Sequence, residues 1–189
     1  MLEGYFIQYK FVVPDSMKLS SYTYQKIFRA IYGYTQNVKK SNGKRYHYYR
    51  QGLLTDVPYI RPGKNCVIVP KEALNRLVEF FKTGKNPTHK WSTKGEWKAV
   101  YYIDDKKIEE AAAAKAFEAL LSRISISEEH IPISKILEEN IDVSNFRREL
   151  LEECKKITQW SWYQHCYPYS DLLKKFQDLY LQLRSSLSP

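Results

Sequence analysis

Apolar residues recur along this chain with two different periods, and the change from one to the other divides it. Residues 4–13 (GYFIQYKFVV) are rich in aromatic and β-branched side chains and predict a strand, stopped by Pro14-Asp15. Ser20-Ser21 supplies caps for a helix over 22–38, with Tyr24, Ile27, Phe28, Ile31 and Thr35 at helical spacing. Residues 39–44 (KKSNGK) form a turn, because Asn42-Gly43 provides the positive φ of a tight reversal. A strand follows over 45–50 (RYHYYR), then a stretch broken by Pro58, Pro62 and Gly63, a loop or a twisted hairpin arm. Residues 65–69 (NCVIV) predict a short buried strand. Pro70 opens a helix to Lys82 that carries Ala73, Leu74, Leu77, Val78 and Phe81 on one face. Residues 91–103 predict a hairpin turning at Lys94-Gly95.

The resulting order, βαββαβ, is that of a ferredoxin-like sandwich. After Ile103 the period is helical only: helices are expected over 105–123, 133–140, 144–157 and 169–183. Asp104 or Asp105 is the expected N-cap of the first, and Ser125 to Glu128 has capping-box spacing for the next segment. The expected architecture is therefore α+β, with an N-terminal domain (1–103) followed by a C-terminal helical bundle (104–189).

Charge sharpens this division. Residues 1–100 hold 18 Lys/Arg against 6 Asp/Glu, whereas 101–189 hold 12 against 15, so the first part is +12 and the second −3 of the net +9. Twelve of the 16 tyrosines also precede residue 103. A basic, tyrosine-rich domain calls for an acidic polymer as partner, and nucleic acid, DNA or RNA, fits best. Three widely spaced cysteines argue against a disulfide scaffold and for a reducing compartment. With no apolar run of about 18 residues and no signal-peptide pattern at the N-terminus, the expectation is a cytoplasmic protein outside the membrane.

The densest basic-aromatic segment is 39–50, offering Lys39, Lys40, Lys44, Arg45, Tyr46, Tyr48, Tyr49 and Arg50. On a strand Arg45, His47 and Tyr49 share one face and Tyr46, Tyr48 and Arg50 the other, so either face sets a cation beside rings. Bases stack on such rings while cations neutralise phosphate. Because one face must be the core face, at most about half of these residues can be contacts. Lys82, Lys85, Lys90, Trp91, Lys94, Trp97 and Lys98 form a second patch, and Arg61 with Lys64 a third.

Other patterns suggest chemistry or other partners. Glu96-Trp97-Lys98 has the Glu-x-Lys spacing of certain metal-dependent nucleases, with Asp56 as a further carboxylate. Only under that alternative is a cofactor expected, magnesium or manganese. Tyr102-Ile103-Asp104-Asp105 has the Tyr-x-Asp-Asp spacing of reverse transcriptases but leads into a predicted helix. His130, Cys154, His165 and Cys166 fit no compact zinc pattern. Residues 132–157 have a helix-turn-helix rhythm with Asn145, Arg147 and Arg148 opening the second helix, yet acidic residues crowd the segment. The apolar stripe of 169–183 offers a third reading, self-association or a protein partner through the C-terminal helices.

Overall fold

The computed structural model describes residues 1–16, 22–85 and 97–188. Its elements are β1 (Leu2–Val12), α1 (Tyr22–Tyr32), β2 (Tyr34–Lys39), β3 (Arg45–Arg50), β4 (Cys66–Pro70), α2 (Leu74–Thr83) and β5 (Lys98–Ile108). There follow α3 (Glu110–Arg123), β6 (Ser125–Ile126), β7 (Ile131–Pro132), α4 (Ile133–Glu138), α5 (Arg147–Thr158), α6 (Tyr163–Cys166) and α7 (Asp171–Leu187). The fold is α+β. β1 is the centre of a three-stranded sheet of order β4-β1-β5, with both neighbours antiparallel to it.

Three expected strands therefore lie side by side, but the fourth does not join them. Residues 45–50 pair with 34–39 in a separate hairpin, so the described residues do not form a four-stranded ferredoxin-like sheet. The cause is Gly33. The helix expected over 22–38 stops at Tyr32, because Gly33 takes φ 74° and its N–H donates to the Arg29 carbonyl at 2.8 Å. That left-handed cap is open to glycine and closed to most residues. Released from the helix, residues 34–39 extend and pair.

The alternation of β1 builds two cores. Ile7, Tyr9 and Phe11 point into one with α1 and α2, where Ile27, Ile31, Leu77, Phe80 and Trp97 are buried. Leu2 points the other way with Ile68 and Ile108, into a second core filled by α3–α7. Gly4, on this second side, admits the Trp162 ring: a Cβ there would stand 2.8 Å from it. The Trp162 indole N–H also donates to the Glu3 carbonyl at 2.8 Å, and that of Trp160 donates to Asp56 at 3.1 Å. Arg123 on α3 ties the helices to the 53–60 loop, donating to the carbonyls of Thr55 (3.2 Å) and Val57 (2.9 Å).

Several boundaries differ from expectation. β5 runs to Ile108 because it pairs with β1 along its full length, down to Leu2 opposite Ile108. Asp104 and Asp105 are thus strand residues, Glu109 occupies the N-cap position of α3, and the composition change at residue 104 falls inside β5. Ser125 does not open a capping box, since it pairs with Pro132 in the small β6–β7 hairpin. Ser170 does cap α7, accepting from the Leu173 N–H at 3.2 Å.

Candidate nucleic-acid interface

The β2–β3 hairpin presents the segment singled out in the sequence. Residues 40–44 join the strands in a turn in which Gly43 has φ 79°, with Gly43 N–H donating to Lys40 (2.9 Å) and Lys40 N–H to Lys44 (3.0 Å). Register sets Tyr34 opposite Arg50, Gln36 opposite Tyr48 and Val38 opposite Tyr46 on one face. Thr35, Asn37 and Lys39 meet Tyr49, His47 and Arg45 on the other.

Neither face is a core face, which corrects the expectation that half of the segment would be buried. No residue of either strand is fully buried. The hairpin projects from the body and is held at its base. There Gly33 and Gly52 meet so closely that a Cβ on Gly52 would stand 2.2 Å from the Gly33 nitrogen. Leu53 and Leu54 N–H groups donate to the carbonyls of Ala30 (2.7 Å) and Ile31 (2.8 Å), and the Tyr49 hydroxyl donates to the Tyr32 carbonyl. A two-stranded ribbon is marginal alone, so this clamp is what fixes it.

On the first face each ring carries a cation. The Lys40 ammonium lies 4.5 Å from the centroid of Tyr46, the Arg50 guanidinium 5.8 Å from Tyr48 and that of Arg29 4.9 Å from Tyr34. Tyr46 and Tyr48 lie nearly parallel, 16° apart with centroids at 6.2 Å. Arg50 is oriented further by donating to Gln36 Oε1 at 2.6 Å. His130, on the β6–β7 turn, packs edge-on against Tyr48 at 5.1 Å. The second face exposes Lys39, Arg45 and His47, the last donating from Nδ1 to Asn37 Oδ1. Lys44 is exposed in the turn.

Tyr49 differs from its neighbours. Half-buried like Tyr46 and Tyr48, it alone of the three donates its hydroxyl to the body of the protein, and burial pushes that hydroxyl's pKa up, the nearby Tyr59 adding to this and Arg123 opposing it. Burial likewise lowers the pKa of Arg123, whose guanidinium lies 4.6 Å from the Tyr59 ring. These two groups are anchors. Arg61 is exposed with its guanidinium 4.0 Å from the Tyr32 ring, and Lys64 is exposed beside the end of β4.

The second patch is only partly placed. Lys90, Trp91, Lys94 and Glu96 lie outside the described residues, as does the hairpin turn at Lys94-Gly95. Trp97 is not a surface residue: it is buried against Phe11 and Phe80. Of the nuclease candidates, Asp56 is ion-paired with Arg76 at 2.5 Å, in a cleft lined also by Glu72, Glu153 and Trp160. Lys98 stands opposite Val12 on the sheet. Among the described residues no three His, Cys, Asp or Glu side chains gather as a metal site, and Cys154 and Cys166 are buried free thiols.

Arg29, Tyr34 and Gln36 belong to the ring-and-cation face, and helical spacing through residues 34–38 hides them in the sequence. The sequence signal that points to them is the glycine at position 33, a helix-stopping residue inside the expected helix. Comparison of the chain with protein-family models, with curated proteins and with solved structures gave no match.

Proposed function

We propose that this protein binds nucleic acid, with the β2–β3 hairpin as its stacking surface. The observation that carries the reading is the pairing of Tyr34, Tyr46 and Tyr48 with Arg29, Lys40 and Arg50 on one face of a ribbon in which no residue is fully buried. A base needs a flat π surface, and the phosphate attached to it needs a cation a few ångströms away. An isolated aromatic strand would supply the first alone, and a lysine loop the second alone.

Lys39, Lys44, Arg45 and Arg61 extend the positive surface for phosphate contact, which gives affinity and register without reading sequence. The helical part braces the hairpin's support, through Arg123 on the 53–60 loop and His130 against Tyr48.

The test is fluorescence anisotropy of labelled DNA and RNA over a salt series. Binding is expected to weaken linearly in log-log form, with a slope near −0.7 per neutralised phosphate for single strands. Replacing Tyr46 and Tyr48 by alanine is expected to cost about 1–3 kcal/mol per stacked base. Lys40→Ala and Arg50→Ala should each flatten the salt slope by about one contact. Absence of binding at low salt would overturn the proposal.

A further inference from the structure

The second surface lies on the sheet itself. The side of β1 that meets the helical part carries, in order, Leu2, Gly4, Phe6, Gln8, Lys10 and Val12. Trp162 and its neighbours cover the first half of this row. Among the described residues none packs over the second half. Register pairs Gln8 with Tyr102, Lys10 with Val100 and Val12 with Lys98, and Gln8 also faces Cys66 on β4. Tyr102 is 60% exposed, Val100 62% and Val12 47%, so apolar surface stands open on a regular strand face. Lys10, Lys98 and the adjoining Lys64 are exposed around it. Asp104, opposite Phe6, lies where the covered half begins.

We propose that this open half-sheet is a binding surface for a single-stranded segment of nucleic acid. The inference rests on the nucleic-acid reading above and adds a strand type and a second site. Charge complementarity selects the occupant: Lys10, Lys64 and Lys98 around an apolar platform suit a polyanion with flat apolar bases. Spacing selects the strand type. Successive pairs on one sheet face are roughly 7 Å apart, about twice the 3.4 Å rise of a stacked strand. A strand lying along them must be extended and its bases unstacked, which pairing in a duplex prevents. Tyr102 takes a base on its ring, Val100 and Val12 receive the next, and the lysines meet phosphates.

Cys66 gives a direct readout. It is half-buried at the edge of the open face, whereas burial pushes the thiols of Cys154 and Cys166 up to about 12 and keeps them unreactive. The experiment measures maleimide labelling of Cys66 in the full chain, with and without a single strand of about a dozen nucleotides, a length within the reach of one such surface. Anisotropy is run in parallel on wild type, Tyr102→Ala, Lys10→Gln and the Tyr46→Ala/Tyr48→Ala variant.

A saturating single strand is expected to protect Cys66, and a duplex of the same length to protect it less. Tyr102→Ala is expected to weaken single-strand binding about 5- to 150-fold. If wild type binds and the hairpin variant weakens, while Cys66 stays unprotected and Tyr102→Ala binds as wild type does, this inference falls and the hairpin reading stands. If duplex protects as well as single strand, the strand assignment is overturned. No binding by wild type would remove both.

Discussion

The two antiparallel ribbons of this molecule, β1–β5 and β2–β3, use the same side-chain chemistry to opposite ends. In the first, aromatic residues alternate with polar ones, and the aromatic side is sealed: Tyr9 and Phe11 pack with Phe81 and Trp97, and Tyr9 shares a 2.6 Å hydroxyl contact with Tyr32. In the second, aromatic residues are again interleaved with polar ones, but the rings meet cations instead of other layers. A tyrosine is thus assigned to core or surface by what the neighbouring elements cover, and its position in an alternating pattern does not decide the matter. Helices bury Ile7, Tyr9 and Phe11 on one side of β1 and cover the first half of the other. In the hairpin no residue is fully buried.

The contrast makes predictions of decreasing size. Trp162→Ala removes the ring that seals Gly4 and the bond to Glu3, so a loss of about 3–5 kcal/mol is expected in urea unfolding. A loss below about 1 kcal/mol would mean that the helical part contributes little to the sheet. Gly33→Ala forces a side chain into the left-handed region beside the Arg50 carbonyl, at a cost of about 1–3 kcal/mol. Hydrogen exchange should show the damage concentrated in hairpin amides. Uniform loss across β1 and β5 would deny the hairpin its separate status.

Tyr32→Phe leaves the buried Tyr9 hydroxyl without its partner and is expected to cost roughly 1–3 kcal/mol. The same pair predicts a pH effect. Burial raises both hydroxyls above the ordinary value of 10, so the neutral forms are favoured in the folded chain. Their contribution is fully present below pH 10 and is lost as pH rises above it, because the unfolded chain releases those protons first. Thermal melts between pH 9 and about 11 should show falling stability, and Tyr32→Phe should lessen the fall. A flat profile would contradict the buried pair. The smallest effect belongs to Tyr48→Ala, expected to change stability by about 0.5 kcal/mol or less while nucleic-acid affinity drops. A large destabilisation would show that the ring is structural.

These residues also explain how much of the molecule could be read beforehand. The alternation from Gly4 to Phe11, the amphipathic helix after Pro70 and the stripe of α7 each report on burial by one large neighbour, and each was legible. Residues 34–38 misled because Thr35 continues the spacing of Ile27, Phe28 and Ile31, and only the backbone freedom of Gly33 opposes it. The length of β5 was hidden because its last residues, Asp104 to Lys107, are all charged; pairing with β1, not burial, makes them a strand. For the same reason the ring-and-cation residues of β3 were visible, while Tyr34 and Arg29 emerged only once their partners across the ribbon were known.

The charged end of β5 has one more consequence, for the chain's behaviour among its own copies. Among the described residues no strand pairs with the outer edge of β5, and an 11-residue edge with open backbone groups is a template on which another chain could extend the sheet. Asp104, Asp105, Lys106 and Lys107 place a full charge at four successive positions before Ile108, on both faces. An incoming strand would have to strip water from four charges to gain its hydrogen bonds. The residues that disguised the strand in the sequence are therefore the ones that guard it against aggregation.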